Sequence, residues 1–190
     1  MTRKSPNVLF ILADDLGWGD LGCTGNPYIR TPHLDRFARE GLSLTRHYSA
    51  SPICAPARAG LLTGCYPHRT GAVDVPSNRG LDRISLRFST LADDFREAGY
   101  ATGLVGKWHN GAHDRRYHPL NRGFQEFTGF CNGGMDYYEW EIERNGNKER
   151  SDGRYLTHVF SEAATHFISE HSQDPFFLWL TYNAPHAPFQ

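Results

Sequence analysis

Three strand-length segments that are apolar through most of their length constrain the fold more than any other feature. They cover residues 8–12 (VLFIL), 100–105 (YATGLV) and 176–182 (FFLWLTY). Nearly continuous apolar runs of this length are typical of strands buried on both faces of a parallel sheet. The sequence therefore predicts a parallel-type central sheet.

Helical patterns lie between these runs. Each has a plausible start or stop signal, such as Thr31-Pro32 before the first and Gly41 after it. The predicted helices cover residues 31–41, 56–64, 90–98 and 156–167, and Gly99 closes the third. Strands that alternate with helices indicate the α/β class, with helices flanking the sheet.

Two segments show weaker patterns. Residues 42–48 are compatible with a short strand. Residues 111–153 are rich in glycine, asparagine, arginine and aromatics and have little periodicity. We expect this second segment to be a long excursion over the surface.

Polar, potentially reactive residues follow each predicted strand directly. Asp14 and Asp15 follow the first, Lys107 and His109 the second, and His186 the third. Ligands of open α/β sheets bind outside the carboxyl ends of the strands. We therefore expect these five residues to face one cleft.

The adjacent carboxylates Asp14 and Asp15 suggest a cation. Two negative charges repel each other, and burying either is unfavourable unless a cation compensates. Calcium or magnesium, which prefer oxygen ligands, would do so. The alternative is a solvated loop start in which one carboxylate caps a turn.

Cys54 and Arg58 lie at the predicted start of the second helix. Unpaired N–H groups at a helix start favour an anion and lower the pKa of a thiol. Arg58, one turn on, offers a planar fork for an oxyanion. A structural thiol beside a surface arginine is the alternative.

The basic residues at the other two strand ends can likewise be interpreted either as active-site residues or as ordinary surface or structural residues. Lys107 provides a point charge for an oxyanion, and His109 can hold or move a proton near neutral pH. An ordinary exposed pair is the alternative. His186 lies between prolines in a stiff loop, where it is either an active-site or a structural histidine.

Composition excludes several classes of function. The chain has 190 residues, enough for one domain, and a net charge of -1, which gives no reason to expect nucleic acid or an anionic membrane as partner. The first apolar run is too short for a membrane span or a signal peptide. We expect a cytoplasmic protein as written, or a periplasmic or secreted one if residues precede Met1. The four cysteines allow two disulfides but do not require them.

Four segments resemble conserved parts of the sulfatase family, in the order in which that family has them. They are PNVLFILADDLGWGDLGCTGN, SPICAPARAGLLTG with its C-x-P-x-R core, GYATGLVGKWHNG and NAPHAPF. The resemblance spans nearly the whole chain and is weakest over residues 111–153. It implies an alkaline-phosphatase-like α/β fold and hydrolysis of sulfate esters of small molecules or carbohydrates.

The resemblance also implies a role for Cys54. In such sulfatases a maturation enzyme oxidises this cysteine to formylglycine, whose hydrate attacks sulfur and then collapses to release sulfate. Asp14, Asp15 and the modified Cys54 would bind calcium, with magnesium less suitable.

The remaining family roles belong to basic residues. Arg58 would steady the nucleophile, and Lys107 would contact sulfate and the nucleophile. His109 would assist the collapse, and His186 would face the sulfate or leaving-group oxygen.

The chain also departs from the family pattern. Sulfatases are longer, and their second pair of metal ligands and another lysine lie further along than Gln190. A family serine that follows GKWH has no clear match near residues 132–134. We therefore expect residues 1–190 to be the N-terminal portion of a sulfatase catalytic domain, truncated before its C-terminal remainder. Two alternatives are a phosphate or phosphonate ester hydrolase of the same superfamily and a non-catalytic sulfatase-like fragment.

Overall fold

A six-stranded mixed sheet organises residues 5–189, the part of the chain that the computed structural model describes. The spatial order is β1-β6-β2-β3-β4-β5; the first four strands in this order are parallel, and the last two pairings are antiparallel. The strands are β1 (Val8–Asp14), β2 (Ala101–Lys107), β3 (Glu126–Phe130), β4 (Glu141–Arg144), β5 (Asn147–Arg150) and β6 (Phe176–Pro185).

Within these described residues, five α-helices and several short 3-10 turns connect the strands. The helices are α1 (Pro32–Glu40), α2 (Cys54–Thr63), α3 (Pro67–Thr70), α4 (Leu91–Glu97) and α5 (Leu156–Glu170). Local chemistry sets several of their ends. Thr90 and Asp93 form a reciprocal capping box at the start of α4. Gly64 ends α2 with a φ of 65°, a left-handed conformation that glycine adopts easily.

The parallel strands have an apolar core on each face. On one face α5 packs through Phe160 and Phe167 against residues such as Leu178 of β6. On the other face Phe177 and Trp179 of β6 belong to a second core with residues of α2 and α4. Both faces of β6 and β2 are therefore covered, which explains their nearly continuous apolar sequence.

The structure confirms the α/β sheet and corrects two local predictions. Residues 42–48 form no strand; Leu42 and Tyr48 are more than 80% exposed and have no partner strand. The surface excursion predicted for residues 111–153 is wrong in large part, because the segment supplies β3, β4 and β5. Phe127, at the centre of β3, is completely buried.

The N-terminal quarter of the chain leaves much apolar surface uncovered. Of residues 5–53, only Asp14 is buried. Among residues 5–189, β1 pairs only with β6 and is therefore an edge strand. Leu9 and Ile11, whose side chains lie on the same face of this strand, are 43% and 58% exposed. Phe37 of the amphipathic helix α1 is 76% exposed. A parallel sheet normally covers such a strand on both faces, so this surface is suited to contact with further polypeptide.

Among residues 5–189, no helix combines the length and the apolar character needed to cross a bilayer.

We predict that the isolated 190-residue chain associates. Its uncovered β1 edge and exposed apolar side chains favour contact between copies. Size-exclusion chromatography with light scattering should give a mass above the 21.5 kDa of one chain, and Ile11→Lys should reduce it. A monodisperse monomer with a sharp cooperative melt would contradict this prediction.

A second prediction concerns Gly106 of β2, which is in register with Thr181 of β6. A Cβ atom there would lie 1.8 Å from the Thr181 carbonyl oxygen, and φ is 113°. Gly106→Ala should therefore lower the free energy of unfolding by at least about 2 kcal/mol, as measured by urea denaturation. Gly99→Ala is the matched control: φ is 83°, but nothing lies within 4 Å of the added atom, so we expect a loss of about 1 kcal/mol. Equal losses would show that the backbone contact is unimportant.

Candidate active site

The carboxyl ends of β1, β2 and β6 meet at one edge of the sheet. β6 lies between the other two, with Asp14 in register with Pro185 and Gly106 in register with Thr181. Asp14 therefore meets Lys107, and Asp15 lies near His186, as expected from parallel strands. Cys54 and Arg58 join them from α2, and both line a cavity together with residues at the end of β1.

Asp14 is the buried centre of this group. Its Oδ2 accepts a hydrogen bond from Lys107 Nζ at 2.5 Å, and its Oδ1 lies 3.4 Å from Arg58 Nη2. Asp14 is 6% exposed, and both cations are almost fully buried. Lys107 and Arg58 thus provide positive charge beside the Asp14 carboxylate. Such charge is needed because burying a carboxylate without a compensating cation is unfavourable.

Arg58 connects α2 to two strands. Its Nη1 donates to the Lys107 carbonyl at 2.8 Å and also to Thr181 Oγ1. Burial lowers the pKa of Arg58 from its usual value, whereas the nearby negative charge of Asp14 raises it. Arg58 is 1% exposed and Lys107 0%, so the alternatives of a surface arginine and an exposed lysine are wrong. Thr181 was missed; a single threonine in the apolar run FFLWLTY was the available signal.

Cys54 is the first residue of α2 and is half-buried. No side chain caps this end of the helix, so its first N–H groups are free to favour negative charge near the thiol. A cavity of about 440 Å³ lies between the end of β1 and the start of α2, and its lining includes Cys54, Arg58, Asp14 and Asp15. All four cysteines are free thiols, so the two possible disulfides are absent from the described residues.

The exposed Asp15 and the half-buried His186 lie on the outer side of the site. Asp15 has a φ of 62°, which turns the chain sharply after β1. Its Oδ2 lies 3.7 Å from His186 Nε2. His186 Nδ1 lies 2.6 Å from the Ala187 carbonyl and must carry a hydrogen there, since a carbonyl can only accept. The Nε2 atom is the one on the side of Asp15, whose carboxylate lines the cavity.

Tyr137, from the segment before β4, supports the His186 loop. Its hydroxyl donates to the His186 carbonyl at 2.8 Å, and the Asn183 carbonyl lies 3.3 Å away. Sequence reasoning missed this contact, because residues 111–153 were expected to lie on the surface.

His109 is buried with its ring in one orientation. Its Nε2 lies 3.1 Å from the Val75 carbonyl, so Nε2 carries the hydrogen and Nδ1 is the acceptor. Burial, followed by the positive charge of Lys107, lowers the pKa of His109 to about 4. The imidazole is therefore neutral at pH 7. Its Nδ1 has no hydrogen-bond partner among residues 5–189.

Two neighbours of His109 were also missed. Asn110 Nδ2 donates to the carbonyls of Ala55 at 2.9 Å and Asp82 at 3.1 Å, which ties the start of α2 to a distant loop. Gly133 lies against the His109 ring, and a Cβ atom there would be 2.7 Å from His109 Cε1. Glycine at this position leaves room for the ring.

The acidic residues do not by themselves form a complete metal centre. No group of three or more histidine, cysteine, aspartate or glutamate side chains within the described range 5–189 is arranged to hold a metal ion. Asp14 and Asp15 supply oxygen ligands, but the oxygens of Asp14 already face Lys107 and Arg58.

Comparison with known proteins identifies the family. The sulfatase family model matches residues 6–190. Dog N-acetylgalactosamine-6-sulfatase is 38% identical over 212 aligned residues, covering 97% of this chain and 40% of the relative. Mouse steryl-sulfatase is 48% identical over 140 residues, covering 66% of this chain and 22% of the relative.

Solved structures agree in fold. The crystal structure of Ps i-CgsB in complex with k-i-k-neocarrahexaose superposes with a TM-score of 0.92 at 35% identity, covering 98% of this chain and 47% of that one. Phosphonate monoester hydrolase of Agrobacterium radiobacter gives a TM-score of 0.68 at 24% identity, covering 97% of this chain and 42% of that one, which shows a shared fold alone.

This chain spans less than half the length of these relatives. The family match, however, covers nearly all of it, and the fold is the alkaline-phosphatase-like fold of its sulfatase neighbours. The chain belongs to the sulfatase family.

Proposed function

We propose that residues 1–190 form the N-terminal portion of the catalytic domain of a sulfuric ester hydrolase. The observation that carries the proposal is the buried group of Asp14, Lys107 and Arg58 beside Cys54. Fixed positive charges next to a nucleophile position suit an ester with anionic oxygens.

Cys54 is proposed to provide the nucleophile after a maturation enzyme, which supplies the oxidant, converts its thiol to formylglycine. In its hydrated form this group supplies a hydroxyl nucleophile and an internal route for sulfate release. The position of Cys54 supports this role, because the free thiol lies at the start of a helix and lines the cleft.

The basic side chains have distinct roles in this proposal. Arg58 is held by two strands, so its guanidinium is preorganised to orient residue 54. Lys107 donates one of its three hydrogens to Asp14 and keeps the others for a sulfate oxygen or the nucleophile. His109 is neutral and takes up a proton, and His186 directs its Nε2 toward the leaving-group oxygen.

A calcium ion fits the donor chemistry of Asp14, Asp15 and residue 54. These three would supply fewer than the six to eight oxygens that calcium takes, so the proposal requires further ligands from polypeptide outside these residues. Magnesium is less suitable, because it demands a small, nearly ideal octahedral site. When bound, the ion would polarise a sulfate oxygen as a Lewis acid.

We propose a sulfated carbohydrate or sulfated small molecule as substrate. Similarity to an N-acetylgalactosamine-6-sulfatase and to a structure solved with neocarrahexaose supports the carbohydrate class. Neither the net charge of -1 nor the fold suggests nucleic acid as partner. The maturation enzyme is the expected protein partner.

A second candidate is hydrolysis of phosphate or phosphonate esters. The fold shared with a phosphonate monoester hydrolase supports it, and sulfate and phosphate esters present similar oxygens to Arg58 and Lys107. A non-catalytic sulfatase-like module is the candidate from a different class.

We predict that residue 54 carries an aldehyde in place of its thiol in protein purified from the native host, as measured by peptide mass spectrometry. The same preparation should hydrolyse an aryl sulfate faster than an aryl phosphate. Cys54→Ala should reduce the rate by about 1,000-fold or more, because the nucleophile is lost.

Cys65→Ala is the matched control. Cys65 is also a free cysteine but lies after the end of α2, so its replacement should leave the rate unchanged. An intact thiol at residue 54 would favour the non-catalytic module, and faster phosphate hydrolysis would favour the second candidate.

We also predict weak calcium binding by the isolated chain. Because only a partial ligand set is present, isothermal titration should give a dissociation constant above about 1 µM. Asp15→Asn should weaken binding further, whereas Asp94→Asn on α4 should not. Sub-micromolar binding by the chain alone would contradict the partial-ligand argument.

A further inference from the structure

Asp82 is a fully buried carboxylate outside the group described above. It is 0% exposed, and neither of its side-chain oxygens accepts a hydrogen bond from any residue in the range 5–189. No lysine, arginine or histidine within that range forms an ion pair with it. A buried carboxylate without a partner is unfavourable, so its presence in the resting protein requires an explanation.

Asp82 lies beside the turn that carries His109. Asn110 Nδ2 donates to the Asp82 carbonyl at 3.1 Å, and Asn110 directly follows His109. Three charged groups act on the His109 imidazole: Lys107 and Arg58 lower its pKa, and Asp82 raises it. Asp82 is thus the negative group that opposes two buried cations at this histidine.

Protonation of His109 would place a third positive charge in the buried site. Because Nε2 already donates to the Val75 carbonyl, the incoming proton must bind Nδ1. The resulting imidazolium would be repelled by Lys107 and Arg58, and Asp82 is the carboxylate available to stabilise it. Neither His109 Nδ1 nor the Asp82 oxygens have a hydrogen-bond partner in the range 5–189, so this stabilisation would act through charge and not through a direct contact.

We propose that Asp82 is a positioning residue that supplies the counter-charge for His109 when its imidazole takes up a proton during turnover. The inference rests on the proposed function, in which the proton comes from the hydroxyl of residue 54 and is released to water when His109 becomes neutral again. An interaction that strengthens only as charge develops lowers the barrier rather than tightening substrate binding. The buried aspartate of serine-protease triads also stabilises an imidazolium, but it does so through a direct hydrogen bond, which Asp82 does not make.

The decisive variant is Asp82→Asn, which keeps the shape of the side chain and removes its charge. NMR titration of the His109 ring nitrogens should show a midpoint lower by about one pH unit than in the unsubstituted protein. The melting temperature at pH 7 should be equal or higher, because an unpaired buried charge is gone. Asp94→Asn, which removes an exposed charge from α4, should change neither quantity.

A purely structural role for Asp82 predicts a different result. Asp82→Asn would then lower the melting temperature and leave the His109 midpoint unchanged, and either observation would overturn the proposal. If the Asp82→Asn variant fails to fold, the proposal can still be tested by NMR titration of the unsubstituted protein. The carboxyl carbon signal of Asp82 should respond at the His109 midpoint, and the absence of any response there would overturn the proposal.

These readouts do not depend on catalysis. A protein that shows the expected His109 behaviour but hydrolyses no sulfate ester would count against the proposed function and leave the Asp82–His109 coupling intact.

Discussion

The ion pair between Asp14 and Lys107, extended by Arg58, is the interaction on which the arrangement of the site depends. It joins the end of β1 to the end of β2 across the intervening β6, and it fixes α2 above them. Removing one partner of such a buried pair generally costs about 3 to 5 kcal/mol, because the remaining charge is left without compensation. The strand ends and the helix start therefore hold their positions together.

The same cations set the chemistry of the groups around them. With burial, the positive charge of Lys107 keeps His109 neutral at pH 7, and its hydrogen bond to the Val75 carbonyl leaves Nδ1 as the acceptor. Fixed positive charge of this kind attracts an anionic ester and disfavours a proton on His109. A histidine that gains a proton in such a place needs a negative group nearby, which is the role that we propose for Asp82.

Much of this arrangement could be predicted from the sequence, because apolar runs mark the strands and parallel strands bring their carboxyl ends together. Asp14, Lys107 and His186 were located in this way. The contacts that orient the neighbouring His109 and Asn110 side chains could not be predicted from the sequence. The Val75 and Ala55 carbonyls act through the backbone, which any residue type can supply.

The antiparallel extension of the sheet was missed for a related reason. β4 and β5 are short and rich in charged residues (EIER and NKER), so apolar periodicity does not reveal them. β3 contains a glycine at residue 129, where a Cβ atom would lie 1.9 Å from the Gly106 carbonyl oxygen. The close approach of the β2 backbone at Gly106 explains why residue 129 is glycine. In a sequence, however, glycine more often indicates a turn, so this residue gave no signal for a strand.

The exposed acidic edge of the site and the uncovered apolar surface of the chain are neighbours. Asp15 directly follows β1, whose outer edge is unpaired and whose Leu9 and Ile11 face outward. The cavity beside Cys54 is bounded by the same end of β1. Polypeptide that covered β1 would therefore also border Asp15, so in our proposal one event, the covering of this strand, both stabilises the sheet and adds ligands to the cation site.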